Sequence, residues 1–154
     1  MDNYVIRMAE PHDAEVIAFH RAGMFFDMGL IKESAMDSLI TASVVYFREA
    51  IEKKEYFGWL AVIKDKIVAG GGLAIRQVPP FPGNLEVSEG AYIFNMYTEP
   101  LHRRKGLARA LMNAMLKWCH EHAISTVTLQ ASNEGRPLYE SLGFEATNEM
   151  RLKK

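Results

Sequence analysis

Cysteine is almost missing: Cys119 stands alone in 154 residues, which excludes an internal disulfide framework and a cysteine metal cluster. Long apolar runs are missing too, since no segment approaches the ~20 residues of a membrane span. Met1-Asp2-Asn3-Tyr4 is not a basic stretch leading into an apolar one, so no secretory signal is expected. These absences lead to the expectation of a reduced, cytoplasmic protein. Charge of one sign is not in excess either. The chain has 18 Lys and Arg against 19 Asp and Glu, a formal net charge of −1, so no nucleic-acid or membrane partner is expected. His120 and His122 lie two apart and point to different sides of a helix. His12, His20 and His102 have no carboxylate or cysteine partner at ligand spacing, so no metal site is expected.

What is present is an ordinary globular composition over a length that suits one domain, residues 1–154. Tyr4–Met8 alternates as a short first strand. Pro11-His12-Asp13 opens a helix with Ala14, Ile17, Ala18, Arg21 and Ala22 at helical spacing, Pro11 being suited to a first turn. Met24-Phe25-Phe26-Asp27-Met28 reads as an apolar linker or helix end. Ser34 or Asp37 is expected to cap a second helix running to about Lys54. Its apolar stripe includes Leu39, Val44, Phe47 and Ile51. Trp59–Ile63 and Ile67–Ile75 read as a hairpin around Lys64-Asp65-Lys66. Gly70-Gly71-Gly72, inside the second of these strands, suggests a bulge or a close backbone approach.

Ala91–Thr98 is almost wholly apolar and reads as a central strand covered on both faces. The helix after Gly106 carries Leu107, Leu111, Ala114, Met115 and Trp118 along one face, with Cys119 a buried small hydrophobe within it. Thr126–Gln130 is another strand. Asn133 is expected to cap a short helix through Tyr139 to Leu142, with Gly143 ending it. Phe144–Ala146 and Glu149–Leu152 are expected to close the chain as strands, and an apolar edge strand there would make a homodimer reasonable. The element order predicts an α/β (α+β) domain with helices packed on a mixed sheet.

The chemistry concentrates at Arg103-Arg104-Lys105-Gly106-Leu107-Ala108, between the central strand and the helix that follows. Pro100 ends the strand because it has no N–H to give a ladder. A basic, glycine-containing turn at a helix start gathers unpaired backbone N–H groups at the positive end of the helix dipole. That arrangement suits a phosphate or pyrophosphate. On a neutral protein, this local basic spot favours one small anionic ligand over a long polyanion.

Three pieces together carry a resemblance: Phe94-Asn95-Met96-Tyr97-Thr98-Glu99-Pro100, then Arg103-x-x-Gly106-x-Ala108, then Asn133 followed by Leu138-Tyr139-Glu140-Ser141-Leu142-Gly143-Phe144. In this order and spacing the chain resembles the GNAT superfamily of acyl-coenzyme A-dependent N-acetyltransferases. The resemblance implies a single-domain fold with a mostly antiparallel central sheet, splayed at the middle and flanked by helices. It implies acetyl transfer from acetyl-CoA to a primary amine by direct attack in a ternary complex. It also implies that Met96, Tyr97 and Thr98 meet the pantetheine arm as an added strand would. The Met96 N–H, or a neighbour's, would point at the thioester oxygen.

By the same resemblance, the turn from Arg103 through Arg104, Lys105, Gly106, Leu107 and Ala108 to Arg109 holds the pyrophosphate. Asn133 touches the pantetheine arm, and Tyr139 protonates the departing thiolate. Met24, Phe25, Phe26 and Met28 would border the acceptor. Some family members place a glutamate in the central strand where this chain has Tyr92; Glu86, Glu89 and Glu99 do not occupy that place, and the base stays unassigned. The alternatives are a non-catalytic acyl-CoA-binding sensor or interaction domain on the same fold and a nucleotide-binding module using the same turn.

Overall fold

The computed structural model describes residues 3–153; Met1, Asp2 and Lys154, included in the expected domain, lie outside the described residues. Five strands form one sheet in the order β1-β2-β3-β4-β5. They are β1 (Val5–Met8), β2 (Tyr56–Ile63), β3 (Lys66–Val78), β4 (Ser88–Thr98) and β5 (Thr126–Leu129). β1 to β4 pair antiparallel, whereas β4 and β5 run parallel. The helices are α1 (Ala14–Asp27), α2 (Met36–Glu52), α3 (Leu107–Glu121) and α4 (Arg136–Ser141). The expected mixed, mostly antiparallel sheet with flanking helices is the architecture found.

Two apolar clusters hold helices against both faces of the sheet. Leu111, Met112, Met115 and Cys119 of α3 pack with Trp59, Ala61, Ala69, Leu73 and Ile93 on one face. Ile17 and Phe47 from α1 and α2 pack with Tyr56, Leu60 and Phe94 on the other. Cys119 is buried, and burial pushes its thiol pKa up. Successive strand residues point to opposite faces, so the nearly continuous apolar run of β4 is what two covered faces require.

The hairpin turn forms as read, with Lys64 and Asp65 both at positive φ (49° and 65°) and Ile63 paired to Lys66. That is the backbone of a two-residue type I′ turn, which matches the twist of the strands it joins. Met24–Asp27 forms the last turn of α1, so the apolar stretch there is helix end and not linker.

Three expectations fail, each for a local reason. Neither Ser34 nor Asp37 caps α2: a 3₁₀ turn over Glu33–Ala35 leads straight into it, and its N-cap position is Ala35. Asn133 does not cap α4 either. That helix starts at Arg136 with Pro137 in its first turn and Gly135 at the N-cap, where Ser132 Oγ accepts the Gly135 N–H at 3.1 Å. Finally, Phe144–Ala146 and Glu149–Leu152 are not strands; among the described residues no helix or strand follows α4. Met150 and Leu152 are 93% and 92% exposed, so their alternation buries nothing and gives a ladder no reason to form. The C-terminal edge strand that made self-association reasonable is therefore absent.

The glycine run in β3 does what was read from it. β3 and β4 pair Gly70 with Tyr97 and Gly72 with Phe94, so Asn95 and Met96 together oppose Gly71, a bulge in β4. A Cβ on Gly71 would lie 2.2 Å from Met96 Sδ, and one on Gly72 would lie 2.1 Å from Tyr56 Oη and 2.7 Å from the Phe57 carbonyl oxygen. The Phe57 backbone has no room to retreat from that contact. Gly72→Ala is therefore expected to lower stability by about 1–3 kcal/mol, the usual cost of overpacking. The urea unfolding midpoint reads this directly; an unchanged midpoint would contradict the β2–β3–β4 register.

Candidate active site

The site begins where the sheet opens. β5 pairs with β4 only from Gly90 to Ile93, while β4 runs on to Thr98. Beyond Ile93 the two strands part, because β5 ends at Leu129 and the chain leaves for α4. The β4 edge from Phe94 to Thr98 thus faces a gap, and backbone groups on an unpaired edge are available to a ligand.

The bulge of β4 lies at the start of that unpaired edge. Asn95 has φ of 63°, the left-handed region that Asn tolerates better than most residues. Its side chain is held in place by two bonds. Arg21 NH1 donates to Asn95 Oδ1 at 2.6 Å, and Asn95 Nδ2 donates to Tyr56 Oη at 3.2 Å. Asn95 is buried, so these contacts offset its desolvation. Burial also pushes the Tyr56 hydroxyl pKa well up, the Asn95 contact only partly opposing it, so Tyr56 is a neutral phenol here.

The second wall is the start of α3. Arg104 and Gly106 both take positive φ (65° and 82°), and Gly106 is the N-cap with no side-chain cap. The first intrahelical bond seen is Ala110 N–H to the Gly106 carbonyl, 3.0 Å. The preceding N–H groups thus have no partner within the helix. A Cβ at Gly106 would touch nothing within 4 Å. Glycine is required there by its dihedral, and the space in front stays open.

One cavity of about 1340 Å³ joins these two walls, larger than the ~300–1,000 Å³ usual for a small-molecule pocket. Met96, Tyr97 and Thr98 line it from β4, and Arg103, Arg104, Gly106, Leu107, Ala108 and Arg109 line it from the turn and α3. Asn133 and Tyr139 close it from the other side. Of the residues singled out from the sequence as coenzyme contacts, Lys105 alone is not in the lining. Of the suggested acceptor contacts, Met24, Phe25 and Met28 line the cavity and Phe26 does not.

Two arginines of that set have committed side chains. Arg103 NH2 donates to Asp27 Oδ2 at 2.6 Å and its Nε donates to the Thr98 carbonyl at 2.8 Å, tying the end of α1 to the end of β4. What Arg103 offers a ligand is main chain. Arg109 NH2 donates to Ser141 Oγ at 3.0 Å, which fixes α4, and with it Tyr139, against α3. Tyr139 is half-buried, and burial raises its hydroxyl pKa.

Sequence reading missed several features. Arg21, Tyr92, Asn95 and His102 also line the cavity. Arg21 carried a signal, since it sits at helical spacing with Ala14, Ile17 and Ala18, a cation on the buried stripe of α1. Of His12, His20 and His102, read as lacking a carboxylate partner, the first two have one nearby in space. His20 is buried with Nε2 3.2 Å from Glu99 Oε2, and His12 lies 3.8 Å from Glu10 and 3.6 Å from Asp13. Asp13 is already engaged, accepting from Arg7 at 2.8 and 2.9 Å and from the Glu10 N–H at 2.7 Å. Glu99 also pairs with Lys66 at 3.2 Å; neither Glu99, Glu86 nor Glu89 lines the cavity. No helix among the described residues is long and apolar enough to cross a membrane.

A sheet parted beside a bulge, facing a helix N-terminus bare of side-chain caps, defines the class of acyltransferase folds that the sequence resembled. The family model of the Acetyltransferase (GNAT) domain matches residues 32–154, and the chain belongs to that family. A GCN5-related N-acetyltransferase from Ralstonia eutropha has the same fold with a TM-score of 0.89, at 28% identity and covering 99% of each chain. A predicted acetyltransferase from Clostridium acetobutylicum, solved with acetyl-CoA, has a TM-score of 0.84 at 27% identity over 99% of this chain and 96% of that one. Human N-acetyltransferase 8 is 26% identical over 94 residues, 59% of this chain. That match spans 39% of the human protein's own length.

Asn95 is the test of this geometry. Asn95→Ala loses two hydrogen bonds of roughly 0.5–1.5 kcal/mol each and adds roughly 1 kcal/mol for a left-handed backbone. A total loss of about 2–4 kcal/mol is expected on denaturant unfolding, with Asn95→Gly losing less because glycine accepts that dihedral. Equal losses for both variants would mean that the left-handed conformation is not what Asn95 supplies.

Proposed function

We propose that this protein is an N-acetyltransferase that moves the acetyl group of acetyl-CoA to a primary amine by direct attack within a ternary complex. The observation that carries this reading is the single cavity joining the open β4 edge to the uncapped start of α3, in a chain of this family. The Clostridium relative solved with acetyl-CoA supports the choice of cosubstrate. The residues present fit it: a bare helix N-terminus and an open glycine suit a pyrophosphate, and an unpaired strand edge suits the amides of a pantetheine arm.

The division of labour follows from what each group can do. The turn from Arg103 to Arg109, including Lys105, holds the diphosphate through main-chain N–H groups and the local positive charge. Met96, Tyr97 and Thr98 pair with the pantetheine, and Asn133 adds a side-chain amide. The amine nitrogen attacks the thioester carbonyl carbon, and the Met96 N–H stabilises the negative charge that grows on the carbonyl oxygen. The carbon–sulfur bond then breaks, and Tyr139 gives its proton to the sulfur as charge appears there. The acceptor nitrogen sheds its own proton to water, since no carboxylate is assigned as base.

The pH dependence of Tyr139 has a definite sign. The acid form is the active one, and burial raises its pKa above that of an ordinary phenol. Turnover limited by this proton is therefore retained through neutral and mildly alkaline pH and falls only above the usual tyrosine range. Tyr139→Phe is expected to lower kcat by about 10²–10⁴-fold, to leave acetyl-CoA affinity by calorimetry within about twofold, and to abolish that alkaline fall. Weakened coenzyme binding with unchanged kcat would reject Tyr139 as the acid. Release of free thiol on mixing acetyl-CoA with a panel of primary amines tests the overall reaction. Tight coenzyme binding without thiol release from any amine would overturn it.

A further inference from the structure

Of the arginines whose partners are seen, some pair with a carboxylate; Arg76, Arg109 and Arg151 do not but are exposed, and Arg21 has neither a carboxylate nor full exposure. Arg7 pairs with Asp13 at 2.8 Å, Arg103 with Asp27 at 2.6 Å and Arg48 with Glu15 at 3.5 Å. Arg21 is more buried than these, yet among the described residues no carboxylate pairs with it. Burial pulls its pKa down, whereas the aspartates push those of Arg7 and Arg103 up. Desolvating a guanidinium without a counter-charge is costly, so an unpaired one beside a cavity is informative.

The surroundings of Arg21 hold it still but leave it unsatisfied. Its guanidinium carbon lies 4.8, 5.6 and 5.8 Å from the ring centroids of Phe25, Phe47 and Phe94, an aromatic collar that stabilises a cation without neutralising it. Among the described residues it makes one hydrogen bond, NH1 to Asn95 Oδ1 at 2.6 Å. A guanidinium has five donors in a rigid fork. None of its nitrogens is among the buried atoms lacking a partner, and Arg21 lines the cavity. Its remaining N–H groups therefore open into that space. Asn95 adjoins Met96, and consecutive Cα atoms are about 3.8 Å apart, so this fork stands next to the site assigned to the reacting carbonyl.

We propose that Arg21 seats a carboxylate of the amine acceptor, which makes the acceptor a compact primary amine of amino-acid type. The inference rests on the acetyl-transfer reading and deepens it. A carboxylate meets the guanidinium fork edge-on, and the short span from Arg21 to Met96 suits an acceptor whose amine lies few bonds from its carboxylate. The same charge disfavours polyamines, which would bring a second cation against it.

The test pairs acceptors that differ only in this group: α- and β-amino acids against their carboxamides, with a linear polyamine alongside, all with saturating acetyl-CoA and free thiol as readout. The carboxylate member of a productive pair is expected to have kcat/KM about tenfold or more above its amide, mainly through KM. Arg21→Gln should reduce that ratio to about one, and Arg21→Lys should restore part of it. Amides or polyamines used as well as carboxylates would overturn the carboxylate seat while leaving acetyl transfer intact. So would an Arg21→Gln loss equal for both members of a pair, since that marks a residue that only braces Asn95. No thiol release with any amine would instead remove the transferase reading, and this proposal with it.

Discussion

Everything at the centre of this molecule depends on one residue held in an unfavourable backbone conformation. Asn95 sits at φ of 63° inside an otherwise extended strand, and it persists there because Tyr56 and Arg21 bond its side chain from beneath. The extra residue falls where β4 runs on beyond its last pair with β5, Ile93 with Leu129. Gly71 and Gly72 are the complement on β3: they leave room for Met96 and Tyr56, whose side chains fill the space a Cβ would need. Strain, packing and the opening of the sheet are thus one feature seen from three sides.

The walls of the cavity are braced by bonds far from any reacting atom. Arg103 to Asp27 joins α1 to the end of β4, and Arg109 to Ser141 joins α3 to α4. Each uses a long, charged side chain at the surface to position backbone in the interior. This explains why a basic turn that invites a side-chain reading offers mainly N–H groups. Glu99 pairs with Lys66 and lies 3.2 Å from His20 Nε2, whose pKa burial lowers, and Glu99 does not line the cavity.

The sequence made the cavity's long wall legible and its floor only partly so. Proline marked the end of β4 because it fixes φ and lacks an N–H, and glycine marked the turn before α3 and the end of α4 because it accepts positive φ without strain; Gly106 and Gly143 both adopt it. The bulge was legible from Gly70-Gly71-Gly72, and the hairpin from the polar Lys64-Asp65-Lys66 between two apolar runs. Caps were not, because Ser34, Asp37 and Asn133 are residues that favour caps without compelling them, and neighbouring 3₁₀ turns or Pro137 decided the starts. The C-terminal strands failed because alternation alone predicts a strand, while a strand also needs a partner and a buried face. Arg21 was visible as an oddity on an apolar stripe, yet its meaning depends on Asn95, which is distant in sequence and adjacent only in the fold.

Amide hydrogen exchange, followed residue by residue by NMR with and without saturating acetyl-CoA, tests the central claim most directly. The account predicts slowed exchange at two separate stretches, Met96–Thr98 on β4 and Gly106–Arg109 at the start of α3, because backbone N–H groups in both are the ones that grip the ligand. Bound coenzyme with exchange unchanged at both stretches, or slowed only elsewhere, would contradict it.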